Sequence, residues 1–167
     1  MGSSMATTFT IRIDYDASAE RLLELLTDPA FHERRALAFG ARSAKATRRV
    51  EPDGTVVLVC EVERSDRRIA GFADRSEMTV RFAGGGPLAT WTHRQFGVED
   101  RASVGGTVEI RARGPGRSQY VNVANIAVDV PMFGRRIEKK IKEVIESGVE
   151  QEANYTRRAL AASVAAA

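Results

Sequence analysis

At Pro131 the spacing of apolar residues changes from two to between three and four. Upstream, from Ala41 to Val130, apolar and polar residues alternate in short runs divided by turn residues, the pattern of an antiparallel meander whose strands bury one face. Downstream, Ile137, Ile141, Val144, Ile145, Gly148, Glu152 and Tyr155 fall three or four apart, a largely apolar stripe along a helix of roughly seven turns. On its other side Lys139 with Glu143, and Lys142 with Glu146, are opposite charges four apart, which suits a solvated face. Pro131 cannot donate to a sheet ladder and biases Val130 toward an extended conformation, so the last strand ends there. Gly134 is expected to give the backbone the freedom to turn the helix back across the sheet. Met132 and Phe133 stand at the hinge, where a plug closing one end of the fold is the favoured reading and the mouth of a cavity the other.

The first forty residues follow a different plan. In "TFTIRIDYD" Phe9, Ile11, Ile13 and Tyr15 share one face, the period of a half-buried strand. Asp16 or Ser18 can cap a short helix that places Leu22, Leu25 and Leu26 on one side, and Asp28-Pro29 opens a second short helix ending near Gly40. In the meander, "EPDG" (Glu51 to Gly54) has turn chemistry, and Leu58, Cys60 and Val62 then share a face with Val56. Met78, Val80 and Phe82 alternate with Thr79 and Arg81, and "AGGGPLA" makes the next reversal. Ala89 to Phe96 carries the only tryptophan, Trp91; Thr107 to Arg113 and Tyr120 to Val130, joined by "GPGRS", complete the strands. One domain is expected over residues 6–160, with 1–5 and the alanine-rich 161–167 as frayed tails.

A chain of 167 residues suits one domain and hides about 70% of the surface its unfolded form exposes. No apolar run approaches the roughly 18 residues that span a membrane, and "MGSSMATT" lacks the charged and apolar segments of a secretory signal. Met1 and Met5 both stay open as the start, and the cytoplasm is the default location. A single cysteine, Cys60, excludes an internal disulfide and a thiolate metal site. The net charge is +3, spread over dispersed pairs such as Arg34/Arg35, Arg67/Arg68 and Arg135/Arg136. A nucleic-acid binder concentrates its charge in a stripe with stacking aromatics between, so that class is set aside.

One strand, two short helices, a meander and a long C-terminal helix resemble the helix-grip arrangement of the START-like, or SRPBCC, superfamily. More specifically, Val130, Pro131, Met132, Phe133, Gly134, Ile137 and Glu138 resemble the close of a bacterial family of unknown function within it: a strand, a Val-Pro-hydrophobic-hydrophobic-Gly bend, and a helix opening Lys/Arg-Ile/Leu-Glu. The resemblance implies an α+β fold in which a curved antiparallel sheet of about seven strands wraps the long helix. It also implies a cavity for a hydrophobic ligand.

Joined to the periodicity, this makes the faces of Leu58, Cys60, Val62, Met78, Val80, Phe82 and Tyr120, with the helix stripe, the expected walls. Packed core is the competing reading of each residue. Gly148 tilts toward a cavity, because mid-helix glycine costs up to about 1 kcal/mol against alanine and some reason must favour it. Either close backbone approach or room for a ligand would serve. Glu152 on the stripe argues against a wholly apolar space. Trp91 and His93 share a face and, if it looks inward, supply an aromatic wall and a hydrogen-bonding group. Asn122 shares a face with Tyr120, and a satisfied structural amide is favoured there over a ligand contact.

Chemistry beyond binding finds little purchase. His32 and His93 share no metal-ligand spacing with each other or with an acid, and neither has an identifiable orienting acid for a triad. "AGGGPLA" lacks the Lys-Ser/Thr and helix of a phosphate loop, and Asp14 and Asp16 suit a strand end and a cap. The expected partner is therefore a small hydrophobic or amphipathic molecule such as a lipid, with no cofactor, no metal and no evident catalysis; transient membrane contact stays open. A cyclase- or dehydratase-like enzyme using His93, Glu152 or Tyr155 in the same cavity, and a protein-interaction module, are the rivals.

Overall fold

The computed structural model describes residues 6–64 and 75–165. Strand β1 (Thr7–Tyr15) leads into helices α1 (Ala19–Leu26) and α2 (Pro29–Ala38). Six strands follow: β2 (Ala41–Val50), β3 (Val56–Arg64), β4 (Arg75–Phe82), β5 (Leu88–Gln95), β6 (Ala102–Ala112) and β7 (Ser118–Val128). Helix α3 (Gly134–Ala165) closes the chain. The sheet order is β1-β7-β6-β5-β4-β3-β2 with every neighbouring pair antiparallel, so the first strand joins the last and the meander runs back to β2. This is the α+β helix-grip: a curved antiparallel sheet, two short helices after β1, and a long helix across the concave face.

Local chemistry sets the boundaries. Ser18 rather than Asp16 caps α1, its hydroxyl accepting from the Arg21 N–H at 3.2 Å. Asp28 caps α2 by accepting from the Ala30 N–H at 3.0 Å, with Pro29 in the first turn where its missing N–H costs nothing. Strand β6 starts at Ala102 rather than Thr107, because Gly105 and Gly106 interrupt the side-chain alternation while keeping the ladder. A Cβ on Gly106 would lie 1.9 Å from the Val123 carbonyl oxygen, so the close approach of β6 to β7 requires glycine there.

Two packed clusters pin α3 at its ends. Near its start, Ile137, Ile141 and Ile145 pack on Phe9, Ala124, Ile126 and Val128. Near its end, Leu160 joins Leu22, Val56, Phe82 and Ile110. Leu160 is buried, the Arg21 guanidinium donates to the Ser163 hydroxyl, and the helix continues to Ala165, into the segment expected as a tail. Residues 1–5 and 166–167, and the Arg67/Arg68 pair, lie outside the described residues.

The bend at Pro131 also differs from expectation. The residue in the left-handed region is Met132, at φ 67°, while Gly134 serves close approach: a Cβ there would lie 2.6 Å from the Val128 carbonyl oxygen. Met132 is 96% exposed and Phe133 54%, so the pair does not form a buried plug.

Candidate functional site

Between the two pinned ends, sheet and helix stand apart around a cavity of about 1040 Å³. Period-two alternation brings one face of each contributing strand to it: Ile11, Ile13 and Tyr15 from β1, Met78, Val80 and Phe82 from β4, Tyr120 and Asn122 from β7. Strand β5 adds Trp91 and His93, and β6 adds Val104 and Val108. Helix α3 supplies the opposite wall through Ile141, Val144, Ile145, Gly148 and Glu152, while Phe133, Arg136 and Lys140 lie toward its opening turns. A Cβ on Gly148 would meet nothing within 4 Å, so of the two reasons for this glycine, room is the one the geometry supports and backbone approach is not.

Four expected wall residues fall elsewhere. Leu58, Cys60 and Val62 share the concave face with β4, opposite Val80, Met78 and Ser76, yet do not line the cavity. Helix α2 lies against β2 and β3 and covers that part of the sheet. Cys60 is a buried thiol held above its ordinary pKa by burial, a packing residue rather than a reactive one. Tyr155 belongs to a ring cluster, 5.9 Å from Phe31 and 5.6 Å from Phe39 between centroids, and so joins α3 to α2 instead of facing inward.

The polar groups on the wall are arranged individually. Trp91 Nε1 donates to Asn122 Oδ1 at 2.8 Å, which gives the amide oxygen a partner and ties the indole to β7. His93 faces in, and burial followed by the Arg64 charge lowers its pKa. His32, which periodicity did not place in the cavity, is buried there. Its Nε2 donates to the Leu26 carbonyl at 2.8 Å, which leaves Nδ1 to accept from Arg35 Nη2 at 3.2 Å. Burial, then the Arg35 charge, pushes the His32 pKa down to about 4, so the ring is neutral at physiological pH. Tyr15 and Tyr120 are both raised by burial; the Thr156 hydrogen bond opposes this for Tyr15, and the Arg35 charge for Tyr120. Glu152 acts on both phenols.

Arg35 and His32 were invisible as site residues in "HERRALAF", where helical spacing does not say which arginine turns inward. Ile11, Ile13 and Tyr15 carried a usable signal, the shared face of β1. Among the described residues no group of three or more His, Cys, Asp or Glu side chains stands together as a metal site. No described helix is long and apolar enough to cross a membrane.

The family described as a protein of unknown function (DUF2505) matches residues 10–160. The chain belongs to that family. Among curated proteins none matches the sequence of this DUF2505 member. Its fold is widely shared. A point mutant of norcoclaurine synthase from Thalictrum flavum in complex with a transition-state analogue is 14% identical, with a TM-score of 0.69 over 98% of this chain and 99% of that one. A START superfamily protein from Mycobacterium smegmatis is 11% identical, with a TM-score of 0.61 over 90% and 97%. The Zhui aromatase/cyclase from Streptomyces sp. R1128 is 15% identical, with a TM-score of 0.52 over 93% and 91%. At these identities the likeness is one of fold: the DUF2505 chain shares its helix-grip architecture with these structures.

Proposed function

We propose that this protein binds a small hydrophobic or amphipathic molecule, such as a lipid, between its sheet and α3, and carries or senses it. The observation that supports this is the cavity of about 1040 Å³ with mostly apolar walls, at the upper end of the roughly 300–1000 Å³ typical of small-molecule sites. Ordinary cores hold few voids larger than a water molecule, so a space of this size follows from the fold rather than from loose packing. Val80, Phe82, Trp91, Ile141 and Ile145 are the proposed contacts for an apolar body. The proposal includes a cytoplasmic location. Purified protein incubated with a cell lipid extract should retain discrete adducts in native mass spectrometry; retention of nothing counts heavily against the reading.

The exposed Met132 and Phe133, flanked by Arg135, Arg136, Lys139 and Lys140, support transient contact of the cavity mouth with an anionic membrane surface during loading. Catalysis in the same cavity is the second reading, supported by Glu152 standing within electrostatic reach of Tyr15 and Tyr120. A retained compound whose mass changes with wild-type protein but not with Glu152→Gln would favour it. An interaction module needs a filled core under an exposed apolar patch, and the cavity speaks against that.

A further inference from the structure

The cavity wall carries an imbalance of charge. Among the described residues Arg35, Arg64, Arg136 and Lys140 face it, against the single acid Glu152. Lys140 reaches Glu143 at 3.8 Å, but among the described residues Arg35 has no carboxylate within ion-pair distance. Its own partners are neutral. The guanidinium carbon stands 5.5 Å from the centre of the Phe31 ring, and Nη2 donates to His32 Nδ1 at 3.2 Å. His32 is fixed in turn, because its other nitrogen is committed to the Leu26 carbonyl at 2.8 Å. Among the described residues this half-buried arginine is therefore held by an aromatic face and a neutral imidazole, with no other partner for its donor fork. Tyr120 presents a phenol to the same cavity, and no described residue accepts or donates a hydrogen bond at its hydroxyl. Arg35 and Tyr120 line the same cavity, and the Arg35 charge opposes the burial that raises the Tyr120 pKa.

Resting on the binding role proposed above, we propose that the cavity selects amphiphiles that end in a carboxylate, held by the Arg35 guanidinium and the Tyr120 hydroxyl with the apolar chain along α3 toward Phe133. A guanidinium fork matches a carboxylate with two parallel hydrogen bonds, and a neutral phenol adds a third donor. The apolar walls keep these bonds from being diluted by water. His32 is a positioning residue: it aims Arg35 without touching the ligand. Glu152 opposes any anion in the cavity, so selectivity for an acid is a demanding result rather than a trivial one.

The test displaces the neutral dye N-phenyl-1-naphthylamine with dodecanoic acid and with 1-dodecanol at pH 8, where the acid is ionised. The wild type should prefer the acid by about tenfold or more, the range of a charge-assisted pair. Arg35→Gln should lose about that factor for the acid while its affinity for the alcohol stays within about threefold, and Tyr120→Phe should lose part of it. Equal affinity of the wild type for acid and alcohol overturns the proposal. So does an acid preference that survives Arg35→Gln but vanishes in Arg136→Gln/Lys140→Gln, which would put the anion at the mouth. Should Arg35→Gln fail to fold, Tyr120→Phe decides: an undiminished acid preference there overturns the proposal. If neither dye nor either ligand binds the wild type, the cavity-binding role fails, and this proposal with it; if both ligands bind alike, only the carboxylate is lost.

Discussion

Glu138 Oε1 accepts the Val128 N–H at 3.0 Å, and its second oxygen accepts the Thr7 hydroxyl at 2.8 Å. The side chain is 1% exposed. One carboxylate on the opening turn of α3 thus ties the helix to the end of β7 and the start of β1, immediately after the bend at Pro131. Together with Gly134 against the Val128 carbonyl, it fixes where the helix leaves the sheet and so how wide the cavity opens.

Removing that tie should be costly. Glu138→Ala strands a buried N–H and is expected to lower unfolding free energy by about 3 kcal/mol, the upper range for hydrogen bonds to a charged acceptor. Glu138→Gln, which can still accept from Val128 and donate to Thr7, should lose about 1 kcal/mol. Urea unfolding of the two variants beside wild type decides; equal losses would mean the geometry of the tie does not matter.

Gly148 should respond in the opposite sense. Because a Cβ there meets nothing within 4 Å, Gly148→Ala should recover helix propensity and raise stability by up to about 1 kcal/mol. Thermal and urea unfolding would show this as a higher midpoint. A loss of stability would mean the helix backbone is closer to the sheet than described.

His32 makes stability depend on pH. Its folded pKa of about 4 lies below the ordinary value of 6.5. The unfolded chain therefore binds the proton first as pH falls. Stability is complete above about pH 6.5 and declines as pH drops toward 4, by up to about 3 kcal/mol from this group. The depressed His93 adds a loss of the same sign. Unfolding free energies measured between pH 4 and 8 should fall less steeply for His32→Gln than for wild type; parallel slopes would contradict the buried neutral imidazole.

Phe133, lining the cavity while 54% exposed, should act as part of a mouth. Phe133→Ala is expected to speed dye release in stopped flow while costing far less than the roughly 3–5 kcal/mol of a fully buried phenylalanine. A loss in that full range, with unchanged exchange, would restore the plug.

Much of this arrangement was legible before any coordinates, and the reason is periodicity. The face of β1 with Ile11 and Ile13, the face of β4 with Val80 and Phe82, and the stripe from Ile137 to Glu152 are all consequences of where Cβ points along an element, which sequence spacing records. What spacing does not record is which element covers a face. Leu58 and Cys60 lie on the concave side as their alternation requires, yet α2 rather than the cavity lies over them. Tyr155 sits on the helical stripe but meets Phe31 and Phe39 from another helix. Arg35 was hidden for the converse reason: beside Arg34 in a short helix it reads as surface charge, and only the packing of Phe31 and His32 turns it inward.

The central claim, that the space between sheet and α3 takes up an apolar molecule, is tested most directly by titrating N-phenyl-1-naphthylamine into wild-type protein and into Gly148→Trp, whose indole should fill the cavity from the helix side. Saturable fluorescence enhancement with the wild type, strongly weakened in a folded Gly148→Trp, is the predicted result. No uptake by the wild type, or uptake that the tryptophan leaves unchanged, would contradict it.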